Sequence, residues 1–133
     1  MYLPATQAME ELLEQGNELV YVPQVCYEFW SVATRPQSDN GLGLPPQQVE
    51  SELHRISTLF TFLNDPSNLY DAWLQIVKTC SILGKQSHDA RLVAAMQLNQ
   101  TDHILTFNQR DFSRFHGITV LTPADVLKHK VKP

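Results

Sequence analysis

The residues of this sequence best placed to do chemistry are two acids, Asp89 and Asp111, near either end of the stretch 87–112, SHDARLVAAMQLNQTDHILTFNQRDF. Between them Ala90, Leu92, Val93, Ala94, Ala95 and Met96 form a helix-like apolar run, and Ile104, Leu105, Thr106 and Phe107 a strand-like one bounded by polar residues. The expectation is a helix feeding a buried strand. The carboxyl end of such a strand, where Asn108 and Asp111 fall, is where open α/β sheets hold their ligands. Carboxylates gathered there suit a cation: Mg²⁺ accepts oxygen ligands and keeps several waters, so one or two carboxylates suffice to hold it. The ion lowers the pKa of a bound water and neutralises charge building on a phosphate.

Lys85, Arg91, Arg110 and Arg114 lie around these acids and could hold a phosphate backbone. Solvated surface charge explains any single one of them equally well. The net charge of −4 is unevenly spread. Up to Asp65 there are nine acids against Arg35 and Arg55; from Pro66 onward five acids face eight bases, giving −7 and +3.

The elements that must position these groups follow from periodicity and punctuation. Residues 5–15 place Met9, Leu12 and Leu13 at helical spacing before Gly16, a C-terminal stop. ELVYV at 18–22 is a strand candidate, and Pro23 suits the first turn of a helix running to about Arg35. RPQSDNGLGLPP is a loop. Helix resumes near Pro46 and runs to about Leu63, breaks at Asn64, Asp65 and Pro66, and returns over 69–80. These two helices are expected to form an antiparallel hairpin. Then come the Ser87 helix, the Ile104 strand, a polar turn, a strand at 118–121 and a last helix from Pro123. Three short apolar strands, expected to be fully buried, alternate with helices, which argues for a parallel sheet covered on both faces.

At 133 residues the chain fits one domain. With 43% hydrophobic and 18% charged residues it is unlike a disordered chain. No window approaches the roughly 18 apolar residues of a membrane helix. The first twenty residues hold four glutamates and no Lys or Arg, unlike a secretory leader. A cytoplasmic location is expected, with Cys26 and Cys80 as reduced core residues. The five histidines, His129 among them, show no zinc-like spacing.

Four segments together resemble the PIN-domain nucleases, and among them the VapC-like toxins of bacterial toxin–antitoxin modules. They are VPQVCYEFWSVATRP at 22–36, HDARLVAAM at 88–96, LTFNQRDFSRF at 105–115 and GITVLTPADVL at 117–127, spanning nearly the whole chain as a single PIN-like domain, 1–133. The resemblance implies a three-layer α/β/α fold with a parallel sheet. It also implies a Mg²⁺- or Mn²⁺-dependent endoribonuclease that hydrolyses an RNA phosphodiester, with a small antitoxin and a second copy as partners and no membrane. Carried over residue by residue, it makes Glu28, Asp89 and Asp111 the catalytic, metal-binding acids, and puts Asn108, as a further ligand, where the family often has Asp. Thr106, Arg91, Lys85 and Arg110 are then substrate-binding. Without it, Asp89 suits a first-turn acid, Glu28 a helix surface residue, Asp111 a cap of the DFSRF turn and Thr106 a strand former. A hydrolase of the haloacid type is disfavoured, since its nucleophile motif is absent.

The family begins with a central strand ending in an Asp, and no segment of this sequence matches it; MYLPATQAMEELLEQG resembles the helix that follows. The expectation is a truncated domain whose catalysis is impaired. Five buried apolar side chains would contribute on the order of 8–15 kcal/mol, comparable to a whole domain's stability. A misassigned start at Met1, a decayed remnant, and a non-catalytic module that binds an antitoxin or sister subunit are the alternatives, in that order.

Overall fold

The computed structural model describes residues 3–130, and the side-chain surroundings of 5–128. Met1, Lys132 and the side chains of His129 and Lys130, used in reading the sequence, lie outside the described residues. The elements are α1 (Leu3–Glu14), β1 (Val20–Tyr21), α2 (Pro23–Thr34), α3 (Pro46–Leu59), β2 (Thr61–Phe62), α4 (Leu69–Thr79), α5 (Gln86–Leu98), β3 (His103–Leu105), α6 (Gln109–Phe112), β4 (Thr119–Leu121) and α7 (Pro123–Lys130). The chain is mixed α/β, mostly helical, with short parallel strands. None of the described helices is long and apolar enough to cross a membrane. Internal contacts divide the chain into two compact units, one of Glu18–Asp65 and one of the residues on either side of it.

In the Glu18–Asp65 unit, Pro23 sits at the start of α2 behind an extended Val22. A proline is tolerated there because its missing N–H is one that no helix would satisfy. Arg35 is extended where the helix stops, as a residue preceding proline must be. The loop that follows folds back on the end of α2: Leu42 N–H donates to Val32 O at 3.0 Å, Gly43 N–H to Arg35 O at 2.8 Å and Leu44 N–H to Ala33 O at 2.8 Å. These bonds satisfy carbonyls left over at the helix end. The backbone runs so close at Gly41 that an added Cβ would lie 2.0 Å from Arg35 O, so no other residue fits. α2 pairs with α3, and Val49 is fully buried.

α3 stops at Leu59, short of the expected Leu63, and Thr61–Phe62 form an unanticipated fourth strand. The segment TLFTFL is rich in β-branched and aromatic residues, and its N–H groups find carbonyls on β1. Thr61 N–H donates to Leu19 O at 3.0 Å and Leu63 N–H to Tyr21 O at 2.8 Å. The Tyr21 and Phe62 rings pack with centroids 5.3 Å apart.

The other unit is built on α5, which buries Ala90 and Val93 through Met96. Its core joins Ala90, Val93, Phe112 and Phe115, with Trp73, Ile76 and Val77 of α4 and Ile104, Ile118 and Val120 against them. β3 and β4 pair in parallel with Ile104 opposite Val120. A parallel pair needs a crossover, and α6 forms part of it where a plain polar turn was expected. α1 packs on α7, and Gly16, at φ +87°, ends the first helix as its position predicts.

Two expectations need correction. The described strands form two two-stranded parallel sheets, and none is fully buried as expected: β2 is exposed and the others are half-buried at best. A two-stranded sheet is all edge, so backbone and side chains stay open on one side. Nor do the 46–63 and 69–80 segments sit in one unit as a hairpin; α3 pairs with α2, and α4 with α5.

α7 opens on a reciprocal cap. Thr122 N–H donates to Asp125 Oδ2 at 3.0 Å, and Asp125 N–H donates to Thr122 Oγ1 at 3.1 Å. Thr122→Ala is expected to cost about 1 kcal/mol, lowering the melting temperature by roughly 4 °C in a thermal scan.

Candidate functional site

Asp89 and Asp111 belong to the same unit, and each stands in the first turn of a helix: α5, thirteen residues long, and α6, a single turn of four. Both carboxylates are half-buried. α6 begins where the chain leaves β3, so Asp111 follows the carboxyl end of a parallel strand. Phe112, 5% exposed, pins this turn to the core next to Phe115, whose ring centroid lies 6.4 Å away.

The link from strand to helix is made by Thr106. Its backbone N–H continues the sheet by donating to Leu121 O at 2.9 Å, and its hydroxyl accepts the Asn108 N–H at 3.1 Å. The hydroxyl proton stays available to donate to a ligand. Asn108 occupies the cap position of α6, exposed, and its side chain makes no cap hydrogen bond. Asp111 N–H donates to Asn108 O at 3.1 Å.

Of the basic residues, Lys85 is exposed just before α5, Arg110 is exposed on α6, and Arg91 is half-buried on α5. Arg114 has a different task. Its Nη1 donates to Gln86 Oε1 at 2.5 Å and its Nη2 to Cys80 O at 2.9 Å, tying the end of α4 to the start of α5. It holds the helix that bears Asp89.

Glu28 lies in the other unit, exposed on α2, where Gln24 Nε2 donates to its Oε2 at 3.5 Å across one helical turn. Among the described residues no three His, Cys, Asp or Glu side chains stand together as a metal-holding group. In kind, the donors near α5 and α6 suit Mg²⁺: the Asp89 and Asp111 carboxylates and the Asn108 amide oxygen are hard oxygen ligands. In number they leave coordination positions for water and phosphate, as Mg²⁺ ordinarily requires.

Cys26 and Cys80 are free thiols, half-buried rather than in the core as expected. Burial pushes the Cys26 thiol up, so it stays protonated and is a poor nucleophile near neutral pH. The exposed His103 Nδ1 and Asp102 Oδ1 pair at 2.6 Å sits at the opposite, amino end of β3. One further group was missed in the sequence, where its spacing gives a shared helix face but not its exposure. Tyr70 and Trp73 stand three apart on α4, the interval that puts side chains on one helix face, and with Arg91 they line a cleft.

No protein-family model matches this chain, and a search of curated proteins returns no significant match.

Proposed function

We propose that this chain is a PIN-like α/β/α domain of the VapC-like type, a Mg²⁺-dependent endoribonuclease. The observation that supports it is the pair of carboxylates, Asp89 and Asp111, each half-buried in the first turn of a helix of one unit, with Asp111 just beyond a parallel strand. Asp89, Asp111 and Asn108, all of one unit, would hold the ion. The ion would supply an activated water and neutralise charge on the phosphate. The residues' own part is to bind and orient. The amino end of α5 favours an anion at Asp89, Thr106 fixes the turn, and Lys85, Arg91 and Arg110 hold phosphates. The cytoplasm is the compartment this reading assigns.

The test is cleavage of end-labelled single-stranded RNA by the purified chain. Product that accumulates with Mg²⁺ or Mn²⁺ and stops on adding excess EDTA supports the reading; equal cleavage in EDTA contradicts it.

A second reading is favoured by the surface of α2. Val25, Tyr27, Trp30 and Val32 are between 39% and 63% exposed there, apolar side chains that a partner could cover. Under it the chain is a non-catalytic module that engages an antitoxin or a sister subunit. It predicts partner-dependent or concentration-dependent assembly in sedimentation, and no metal-dependent product.

A further inference from the structure

A cleft of about 410 Å³ opens between α4 and α5, lined by Leu69, Tyr70, Trp73, Ser87, His88 and Arg91. Its volume lies in the range of small-molecule sites. All six residues belong to one unit, and none is acidic. One wall is aromatic. The Trp73 indole N–H donates to Ser87 O at 2.8 Å, which locks the ring in place across the two helices. Tyr70 stands beside it, ring centroids 5.9 Å apart and planes tilted by 35°, and is 65% exposed. The other wall is basic and polar. His88 and Arg91 are three residues apart on α5, hence on one face.

We infer that this cleft binds one nucleotide of single-stranded RNA, its base stacked on Tyr70 against the fixed Trp73 wall and its phosphate held by Arg91. Aromatic rings stack with any base, and an arginine beside them supplies both a phosphate partner and a planar cation. The arrangement is the one that single-strand binders use. His88 is the immediate neighbour of Asp89, so a strand seated here passes the carboxylate end of α5. The choice of RNA rests on the nuclease reading; the stacking site itself does not.

Binding can be read apart from cleavage by working in EDTA. The chain has two tryptophans, so Trp30→Phe leaves Trp73 as sole reporter. In that background, adenosine 5′-monophosphate and an eight-residue oligoadenylate are expected to quench the emission saturably, and ribose 5-phosphate is not. Tyr70→Ala is expected to weaken oligoadenylate binding about tenfold or more, while Tyr70→Phe keeps it, since the ring and not the hydroxyl is used. Arg91→Gln is expected to flatten the salt dependence of binding. Equal affinity for Tyr70→Ala and the parent, or equal binding of ribose 5-phosphate and the nucleotide, would overturn the site. RNA cleavage that ignores Tyr70 would leave the nuclease reading standing and remove the cleft; binding without cleavage would do the reverse.

Discussion

Replacing Phe112 with alanine is expected to destabilise the protein by about 3–5 kcal/mol, the usual cost of emptying a buried aromatic site. The ring is 5% exposed and packs with Ala90, Val93 and Phe115 in the core between α5 and the β3–β4 pair. α6 is a single turn and has no stability of its own; it exists because Phe112 anchors it. Since whole domains are stable by only about 5–15 kcal/mol, the loss would be a large fraction of the total. Urea unfolding followed by circular dichroism should show the midpoint falling by on the order of 2 M. Leu83→Ala is the comparison: at 80% exposure it should stay within about 0.5 kcal/mol. A Phe112→Ala midpoint as little changed as that of Leu83→Ala would show that this core does not hold the unit together.

Asp89→Asn is expected to lower metal-dependent RNA cleavage by about 100-fold or more. The substitution keeps the shape and removes the charge, and losing even an outer partner of a metal centre commonly costs 10–100-fold. The fold should survive. Asp89 lies in the first turn of α5, where its favourable interaction with the helix dipole is worth about 0.3–1 kcal/mol, and asparagine keeps an oxygen acceptor in place. Initial rates at saturating Mg²⁺, with circular dichroism as a control, separate the two effects. The same fall is expected for Asp111→Asn. Rates within twofold of the parent for both would remove these carboxylates from the chemistry.

Much of the helical framework is legible in the sequence because its stops are residues with a single physical meaning. Gly16 closes α1, Pro23 opens α2, Pro36 ends it, and Pro123 opens α7. The strands are less so. Residues 58–63 continue the apolar spacing of α3 closely enough to read as helix, yet Thr61 and Leu63 donate to β1 carbonyls more than 40 residues away in the chain, and periodicity carries no trace of such a partner. The burial expected of 104–107 fails for a related reason. Alternating or continuous apolar runs say that a strand wants cover, not whether neighbouring strands supply it, and Phe107 ends 56% exposed.

At the candidate site, the position of Asp89 in a first turn was open to reading, since an acid before an apolar helical run favours a helix start; that of Asp111 was not, because α6 stands where a polar turn was expected. What each neighbour does was not. Thr106 and Arg114 look alike as polar residues near a site. One makes the strand-to-helix turn; the other clamps α4 to α5. The Tyr70 and Trp73 pair escaped notice because two aromatics on a helix face read first as core, and only the 65% exposure of Tyr70 distinguishes it.

A divalent ion is expected to bind where α5 and α6 begin. Substoichiometric Mn²⁺ added to isotope-labelled protein locates it, because a paramagnetic ion broadens the amide signals nearest to it. Signals of residues 88–91 and 108–112 are expected to fade first, excess Mg²⁺ to restore them, and Asp89→Asn to abolish the effect. Uniform broadening, or fading centred elsewhere in the chain, would contradict it.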